Sequence, residues 1–209
     1  MASKKRAVIA CNGNIETGLI ERIARKTDFF IAADGGANHF LKTKIVPNII
    51  VGDMDSITDN ASRIFAKVER LAYPKNMDFT DSELALRLAI EHGFREIVFL
   101  GAIGNRTDHL LSNVMLLSQV PDGVDARILE EKSELFLVRG SRTIKGKKGD
   151  AISLIPVENV FGLSLSGFKF NAKNISLKVG EGRGMSNELA GRTAQIILKK
   201  GRLVAVRMF

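Results

Sequence analysis

The sequence has no tryptophan and one tyrosine, so its twelve phenylalanines supply nearly all of its aromatic bulk. It has one cysteine, Cys11, which excludes an intrachain disulfide and fits a reducing, cytoplasmic compartment. No run approaches the roughly eighteen apolar residues of a membrane span, so no membrane partner is expected. The start, Met1-Ala2-Ser3-Lys4-Lys5-Arg6, is basic, but the apolar run at 7–11 is too short for a signal peptide. There is no Walker-type Gly-Lys-Ser/Thr loop, and the Gly35-Gly36 pair is not a Rossmann fingerprint. A nucleotide would have to bind by another device. No internal repeat and no nucleic-acid motif is present.

At 209 residues, 45% of them hydrophobic, the chain can hold one large domain or two small ones with a true core. Its net charge of +8 is unevenly placed. Through Leu129 there are 16 basic and 16 acidic residues, and from Glu130 onward there are 15 and 7. The surplus either meets an anion or forms a solvated surface. The scatter of Lys and Arg favours the second, and no nucleic-acid partner is expected.

Strands and helices alternate over the first 130 residues. Apolar runs at 7–11, 29–33, 49–51, 68–72, 96–100 and 127–129 read as strands. Leu19, Ile20, Ile23 and Ala24 mark a helix ending in Arg25-Lys26, and residues 61–67 belong to a second. Leu84, Leu88 and Ile90 give a third its buried face, and residues 110–117 form a fourth. The alternation predicts an α/β fold with an open, mostly parallel sheet and helices on both faces. Then the period changes. Short runs at 135–138, 142–144, 151–155, 161–165, 175–179, 192–198 and 203–208, parted by Gly, Asn or Lys turns, predict a smaller all-β sandwich. The expected domains are 1–130 and 131–209.

Carboxylates collect where strands end. Gly52 breaks the strand at 49–51, so Asp53 and Asp55 of Gly52-Asp53-Met54-Asp55-Ser56 fall in the loop at its C-terminal end. Open α/β sheets bind ligands there. Two aspartates at i and i+2 on a turning loop aim at one point, and converging carboxylates repel unless a hard cation such as Mg²⁺ joins them. The ordinary reading is a turn followed by an N-cap, from Ser56 or Asp59. A second cluster, Asp78-Phe79-Thr80-Asp81-Ser82-Glu83, opens the third helix. Thr80 and Glu83 have capping-box spacing, which explains Glu83 and leaves Thr80 as cap, ligand or both. Asp81 suits a first helical turn on dipole grounds alone.

Asp34 lies at another strand end, before Gly35-Gly36. Those glycines admit either close backbone approach to a ligand or positive φ in a tight turn. The stretch Gly101-Ala102-Ile103-Gly104-Asn105-Arg106-Thr107-Asp108-His109 offers Arg106 as a polyphosphate partner. Asp108 either caps the next helix, binds a ligand or acts on a proton; His109 reads as a solvent or packing residue. In a parallel sheet these strand ends share one edge. Asp34, Asp53, Asp55, Asp81 and Arg106 are therefore expected around one crevice, suited to Mg²⁺-dependent phosphoryl or nucleotidyl transfer.

The four motifs, in this order, resemble those of the thiamin pyrophosphokinase family. Gly184-Met185-Ser186-Asn187 resembles that family's Gly-x-Ser-Asn segment, so the resemblance spans almost the whole chain. It implies transfer of the diphosphate of Mg-ATP to the hydroxyethyl group of thiamin, giving thiamin diphosphate and AMP. It implies Asp53, Asp55 and Asp81 as Mg²⁺ ligands, and Asp34, Gly35, Thr80 and Arg106 facing the nucleotide. Asp108 is implied near the acceptor, and Ser186 and Asn187 at the thiamin ring. Residues 1–130 become the catalytic domain and 131–209 the substrate-binding and dimerisation domain, in a homodimer with sites at the subunit junction. Some family members present a Trp to thiamin. This chain has none, which leaves Phe161, Phe168 or Phe170 to stack. The alternatives are a related diphosphokinase for another hydroxymethyl heterocycle, such as a pterin, and a non-catalytic nucleotide-binding module.

Overall fold

The computed structural model describes residues 6–76 and 78–209; the basic stretch at 1–5 and Met77 lie outside the described residues. The chain divides into two compact units, Met1–Glu131 and Lys132–Phe209.

The first unit is built on six strands: β1 (Arg6–Ala10), β2 (Phe29–Ala33), β3 (Ile49–Gly52), β4 (Glu69–Ala72), β5 (Glu96–Leu100) and β6 (Asp125–Leu129). They lie in the order β6-β5-β1-β2-β3-β4, and every neighbouring pair is parallel. Parallel strands need crossovers. Helices α1 (Leu19–Ile23), α2 (Asp59–Ile64), α3 (Asp81–Glu91) and α4 (Thr107–Leu116) lie along them. Val8, Ala10, Phe30, Ile50 and Val98 pack with Leu19 and Ile20 of α1 and with Ala61 and Phe65. Alternate strand residues such as Ile9 and Ile31 point to the other face, and α3 packs against β1, β2 and β3. Covered on both faces, central strands read as unbroken apolar runs.

Local chemistry set several boundaries differently from expectation. The first helix ends at Ile23 rather than at Arg25-Lys26. Asp28 takes the Arg25 N–H at 2.8 Å as well as the guanidinium of Arg6, and the chain turns there. Residues 34–42 form a 3₁₀ helix, not a loop, and it carries Ala37 and Phe40 into the core. The cap of α2 is Thr58, whose Oγ1 accepts from Ala61 N at 3.3 Å, so neither Ser56 nor Asp59 caps it. Thr80 does cap α3, accepting from Glu83 N at 3.2 Å. Glu83 pairs with Arg87 at 3.0 Å. The last helix starts at Thr107 behind Arg106, with no side-chain cap, so Asp108 is not a capping residue.

The second unit contains β7 (Ser133–Val138), β8 (Ser141–Lys145), β9 (Ala151–Pro156), β10 (Val160–Ser166), β11 (Ala172–Leu177), β12 (Asn187–Glu188), β13 (Thr193–Ile197) and β14 (Leu203–Met208). Two antiparallel arrays, β12-β9-β14-β7 and β11-β10-β13-β8, share one core through Val138, Leu154, Leu163, Ile196 and Ala205. This is a β-sandwich. The two-residue β12 is too short to leave a periodic signal in the sequence. Among the described residues, no helix is long and apolar enough to cross a membrane.

Candidate active site

Parallel register puts the C-terminal ends of β1, β2, β3 and β5 on one edge of the first unit's sheet. The loops leaving them, with the start of α3, line a cavity of about 450 Å³. Asp34, Asp53, Asp55, Thr80, Asp81 and Arg106 all line it. Gly35 and Asp108 do not.

Carboxylates dominate one wall. One oxygen each from Asp34, Asp53 and Asp55 lie within 4.8 Å of one another. Asp34 is buried, and its Oδ2 accepts from Ser56 N at 3.1 Å while Oδ1, also buried, has no partner. Burial raises the Asp34 pKa from its ordinary value. Asp81 stands beside this trio. Its carboxyl is pushed up to about 6, first by burial and then by the charges of Asp34 and Asp53. Gly52 makes that crowding feasible. It sits at φ 142°, and a Cβ there would lie 2.5 Å from Asp81 Oδ1 and 2.9 Å from Asp34 Cβ. An all-oxygen donor set with an orphaned buried oxygen fits a hard divalent cation such as Mg²⁺.

The backbone holding this wall is strained. Asp34 (φ 44°) and Met54 (φ 66°) adopt left-handed conformations, the kind of cost that a functional loop accumulates. Gly35 and Gly36 have no positive φ. Their lack of side chains serves packing instead. A Cβ on Gly36 would sit 1.9 Å from the Ala10 carbonyl oxygen, and one on Gly35 would meet the Asn12 side chain at 2.4 Å. Asn38, on the 3₁₀ helix, ties the Asp53–Asp55 loop from its far side. It donates to Ser56 O at 2.9 Å and accepts from Thr58 N at 3.0 Å.

Two cationic side chains, Lys75 and Arg106, line the same cavity. Lys75 Nζ reaches Asp55 Oδ2 at 2.7 Å, and this bond, aided by one from Ser56, lowers the Asp55 pKa. Arg106 grips the exposed Asp108 with two bonds, Nε to Oδ1 at 3.2 Å and Nη2 to Oδ2 at 2.5 Å. The Asp108 carboxyl falls to about 2 under that guanidinium. A carboxylate so acidic is a weak proton acceptor. Behind the Arg106 loop, Asn113 donates to Ala102 O at 2.8 Å. Glu130 accepts from the Ile103 N–H, and burial pushes its carboxyl up to about 7.

In the second unit, Asn187 is buried and its amide is fully engaged. Its Oδ1 accepts from Phe170 N at 3.0 Å and Glu188 N at 2.9 Å, and its Nδ2 donates to Phe170 O at 2.8 Å. It fixes the Phe170 segment. Ser186 is exposed at φ 57°, its N–H held by Ser153 Oγ at 3.1 Å. Phe170 is 63% exposed and lines a cavity of about 170 Å³ with Leu163, Leu165, Ile175, Met185 and Asn187. Phe168 is buried in the core, and Phe161, though exposed, does not line that cavity.

The family pattern described as "Thiamin pyrophosphokinase, catalytic domain" matches residues 20–128. The pattern described as "Thiamin pyrophosphokinase, vitamin B1 binding domain" matches residues 141–203. The chain belongs to the thiamin pyrophosphokinase family. It is 32% identical to the thiamine pyrophosphokinase of Bacillus subtilis over 187 residues, covering 85% of this chain and 86% of that one. It is 29% identical to thiamin pyrophosphokinase 1 of Caenorhabditis elegans over 196 residues, covering 86% and 78%. The crystal structure of the Bacillus subtilis protein superposes with a TM-score of 0.88 at 27% identity, covering 98% of this chain and 99% of that one.

Within this thiamin pyrophosphokinase fold, sequence reasoning missed Lys75, which lines the cavity, and Asn38 and Glu130, which do not line it but bond to its loops. Asn38 left a faint signal, since it is polar and follows a strand-end carboxylate by four residues. Lys75 and Glu130 left none, because their roles depend on contacts across 20 and 27 residues of chain.

The crowding of Asp81 has a measurable consequence for stability. Its folded pKa is raised, so its charge opposes folding: the penalty is absent below the unfolded value near 3.8 and complete above about 6. In metal-free protein, Asp81→Asn is expected to raise the Tm, with a gain smallest near pH 4 and largest above pH 6. Thermal melts in chelator across that range check the sign.

Proposed function

We propose that this chain transfers the β,γ-diphosphate of ATP to the hydroxyethyl oxygen of thiamin, releasing AMP. The observation that carries the reading is the convergence of Asp34, Asp53, Asp55 and Asp81 with Lys75 and Arg106 in one cavity at the C-terminal edge of a parallel sheet. Diphosphoryl transfer needs little covalent help from protein. It needs a polyphosphate held straight and its spreading charge neutralised.

Asp53 and Asp55 are assigned as metal-holding carboxylates, with Asp34 and Asp81 beside them. Mg²⁺ bound there supplies charge neutralisation to the polyphosphate oxygens. Arg106 faces the cavity and offsets charge on the transferred group, and Asp108 keeps its guanidinium oriented. The Asn12-Gly13-Asn14 and Gly101–Gly104 backbones close against each other, Gly13 N donating to Gly101 O at 2.9 Å, and give the nucleotide a fixed wall. As the thiamin oxygen bonds to the β-phosphorus, its proton passes to solvent water. The bond from that phosphorus to the bridging oxygen breaks, and AMP leaves with the oxygen.

Phe170 is assigned to the thiamin ring, with Ser186 near it and Asn187 as the scaffold of its loop. The same reading includes a homodimer with shared sites and a cytoplasmic location, the second supported by a lone thiol that is buried. Light scattering tests the dimer. The reaction is tested by incubating the protein with Mg-ATP and thiamin and quantifying nucleotides and thiamin esters. AMP and thiamin diphosphate in equal amounts, with no AMP when thiamin is omitted, is the expected result. ADP formation, or no thiamin-dependent AMP, overturns the proposal.

A further inference from the structure

The acidic wall described above carries more negative charge than its own hydrogen bonds absorb. Asp34, Asp53 and Asp55 converge, and Asp81 is near enough for their charges to raise its pKa. Among the described residues, one cation is seen on the trio: Lys75 Nζ lies 2.7 Å from Asp55 Oδ2. The charges of Asp53 and Asp34 also act on it. Lys75 stands on the Tyr73-Pro74-Lys75-Asn76 loop between β4 and α3, and lines the same cavity as Arg106. Its side chain is 69% exposed, so no packing fixes it in place. A lysine is a compact charge on a flexible four-carbon stem, able to leave one anion for another nearby.

The geometry points to Lys75 as a built-in counter-ion of the carboxylate cluster: a divalent cation must displace it from Asp55, and its ammonium then turns to the polyphosphate in the same cavity. This rests on the reading of Asp53 and Asp55 as metal-holding residues. Two consequences follow from the charges. With the cluster otherwise empty, Lys75 competes with metal for one Asp55 oxygen and repels it. With metal seated, the same ammonium is released into a cavity where a polyphosphate brings several negative charges. Lys75 therefore weakens metal binding alone and strengthens nucleotide binding. A residue that merely propped up its loop would weaken both when removed.

The test uses the full chain and two titrations. Mn²⁺ alone is titrated into the parent, Lys75→Met, Lys75→Arg and Asp53→Asn proteins by calorimetry. α,β-Methylene-ATP, whose reacting bridge cannot be cleaved, is then titrated at saturating Mn²⁺. Lys75→Met is expected to bind Mn²⁺ roughly three- to tenfold more tightly and the analogue roughly three- to tenfold more weakly, the scale of one partly exposed charge contact. Lys75→Arg, which keeps the charge, is expected to stay near the parent in both. Unchanged or weaker Mn²⁺ binding by Lys75→Met, or unchanged analogue binding, overturns the proposal. If Asp53→Asn binds Mn²⁺ as the parent does, the metal assignment itself has failed, which separates that failure from a failure of Lys75. Circular dichroism of Lys75→Met confirms that an exposed substitution left the fold in place.

Discussion

Asp53→Asn is expected to lower kcat/KM by about a thousandfold or more while leaving the protein folded. Asparagine has the same shape as aspartate, and its carbonyl oxygen can still take the Asp55 N–H that now reaches Asp53 Oδ1 at 3.2 Å. What disappears is one full charge from a wall where Asp34, Asp53 and Asp55 place oxygens within 4.8 Å of one another. Charge stabilisation by a bound metal amounts to several kcal/mol at the transition state, and about 4 kcal/mol is a factor of about 10³ in rate. The loss should be read as kcat and KM at several Mg²⁺ concentrations. Raising Mg²⁺ is expected to recover part of KM but little of kcat. A variant keeping more than a tenth of parental kcat/KM at ordinary Mg²⁺ would remove Asp53 from the chemistry. The same substitution relieves repulsion on Asp81, so the metal-free variant is expected to be no less stable than the parent.

The crevice was legible in the sequence because a parallel sheet has a grammar. Strands β1 and β5 carry unbroken apolar runs after their first residues because both faces are covered, and they are followed by Cys11-Asn12-Gly13 and by Gly101. Once the strands were read, Asp34, Asp53, Asp55, Asp81 and Arg106 had to meet at one edge. Thr80 was legible as the cap of α3 for the same local reason. Two of the misreadings have a different cause: each depended on a contact distant in sequence. Gly35-Gly36 left open a close approach to a ligand or a positive-φ turn, yet the pair lies in the first turn of a 3₁₀ helix, and the Ala10 carbonyl and the Asn12 side chain explain the missing Cβ atoms. Neither expected cap, Ser56 or Asp59, caps α2; Thr58 does. Asp55 engages Ser56, and Asn38 reaches across 20 residues to hold Thr58 at the cap. A cap was one of the roles open to Asp108, but the neighbouring guanidinium holds its carboxylate and α4 has no side-chain cap. Asn187 carried a family motif, and only the structure revealed that all its amide atoms are bound to backbone.

The far edge of the same sheet predicts the largest loss of stability. Arg6, at the start of β1, is 3% exposed, and the Asp28 side chain it grips is 0% exposed. The guanidinium gives Nη2 to Asp28 Oδ2 at 2.5 Å and to Ile23 O at 2.6 Å, and Nε to Asp28 Oδ1 at 3.0 Å. Glu96, at the start of β5, stands 3.9 Å from Nη1 and also meets Arg25 and Arg127. Three strand starts are thus joined by charge at the edge opposite the cavity. Among the described residues, Arg6→Ala would leave Asp28 buried and charged with the Arg25 N–H for company. Breaking a buried pair from one side costs about 3–5 kcal/mol, because the remaining charge is uncompensated. At about 2–4 °C per kcal/mol for a chain of this size, the Tm is expected to fall by roughly 6–20 °C. Replacing both partners, Arg6→Met with Asp28→Leu, removes the orphaned charge and is expected to recover much of that loss. Below the melting transition, kcat per folded molecule is expected to stay at the parental value, since the described Arg6 contacts, to Asp28, Ile23 and Glu96, do not line the cavity. A double variant no more stable than Arg6→Ala would mean that the network, rather than the unpaired carboxylate, carries the stability of this edge.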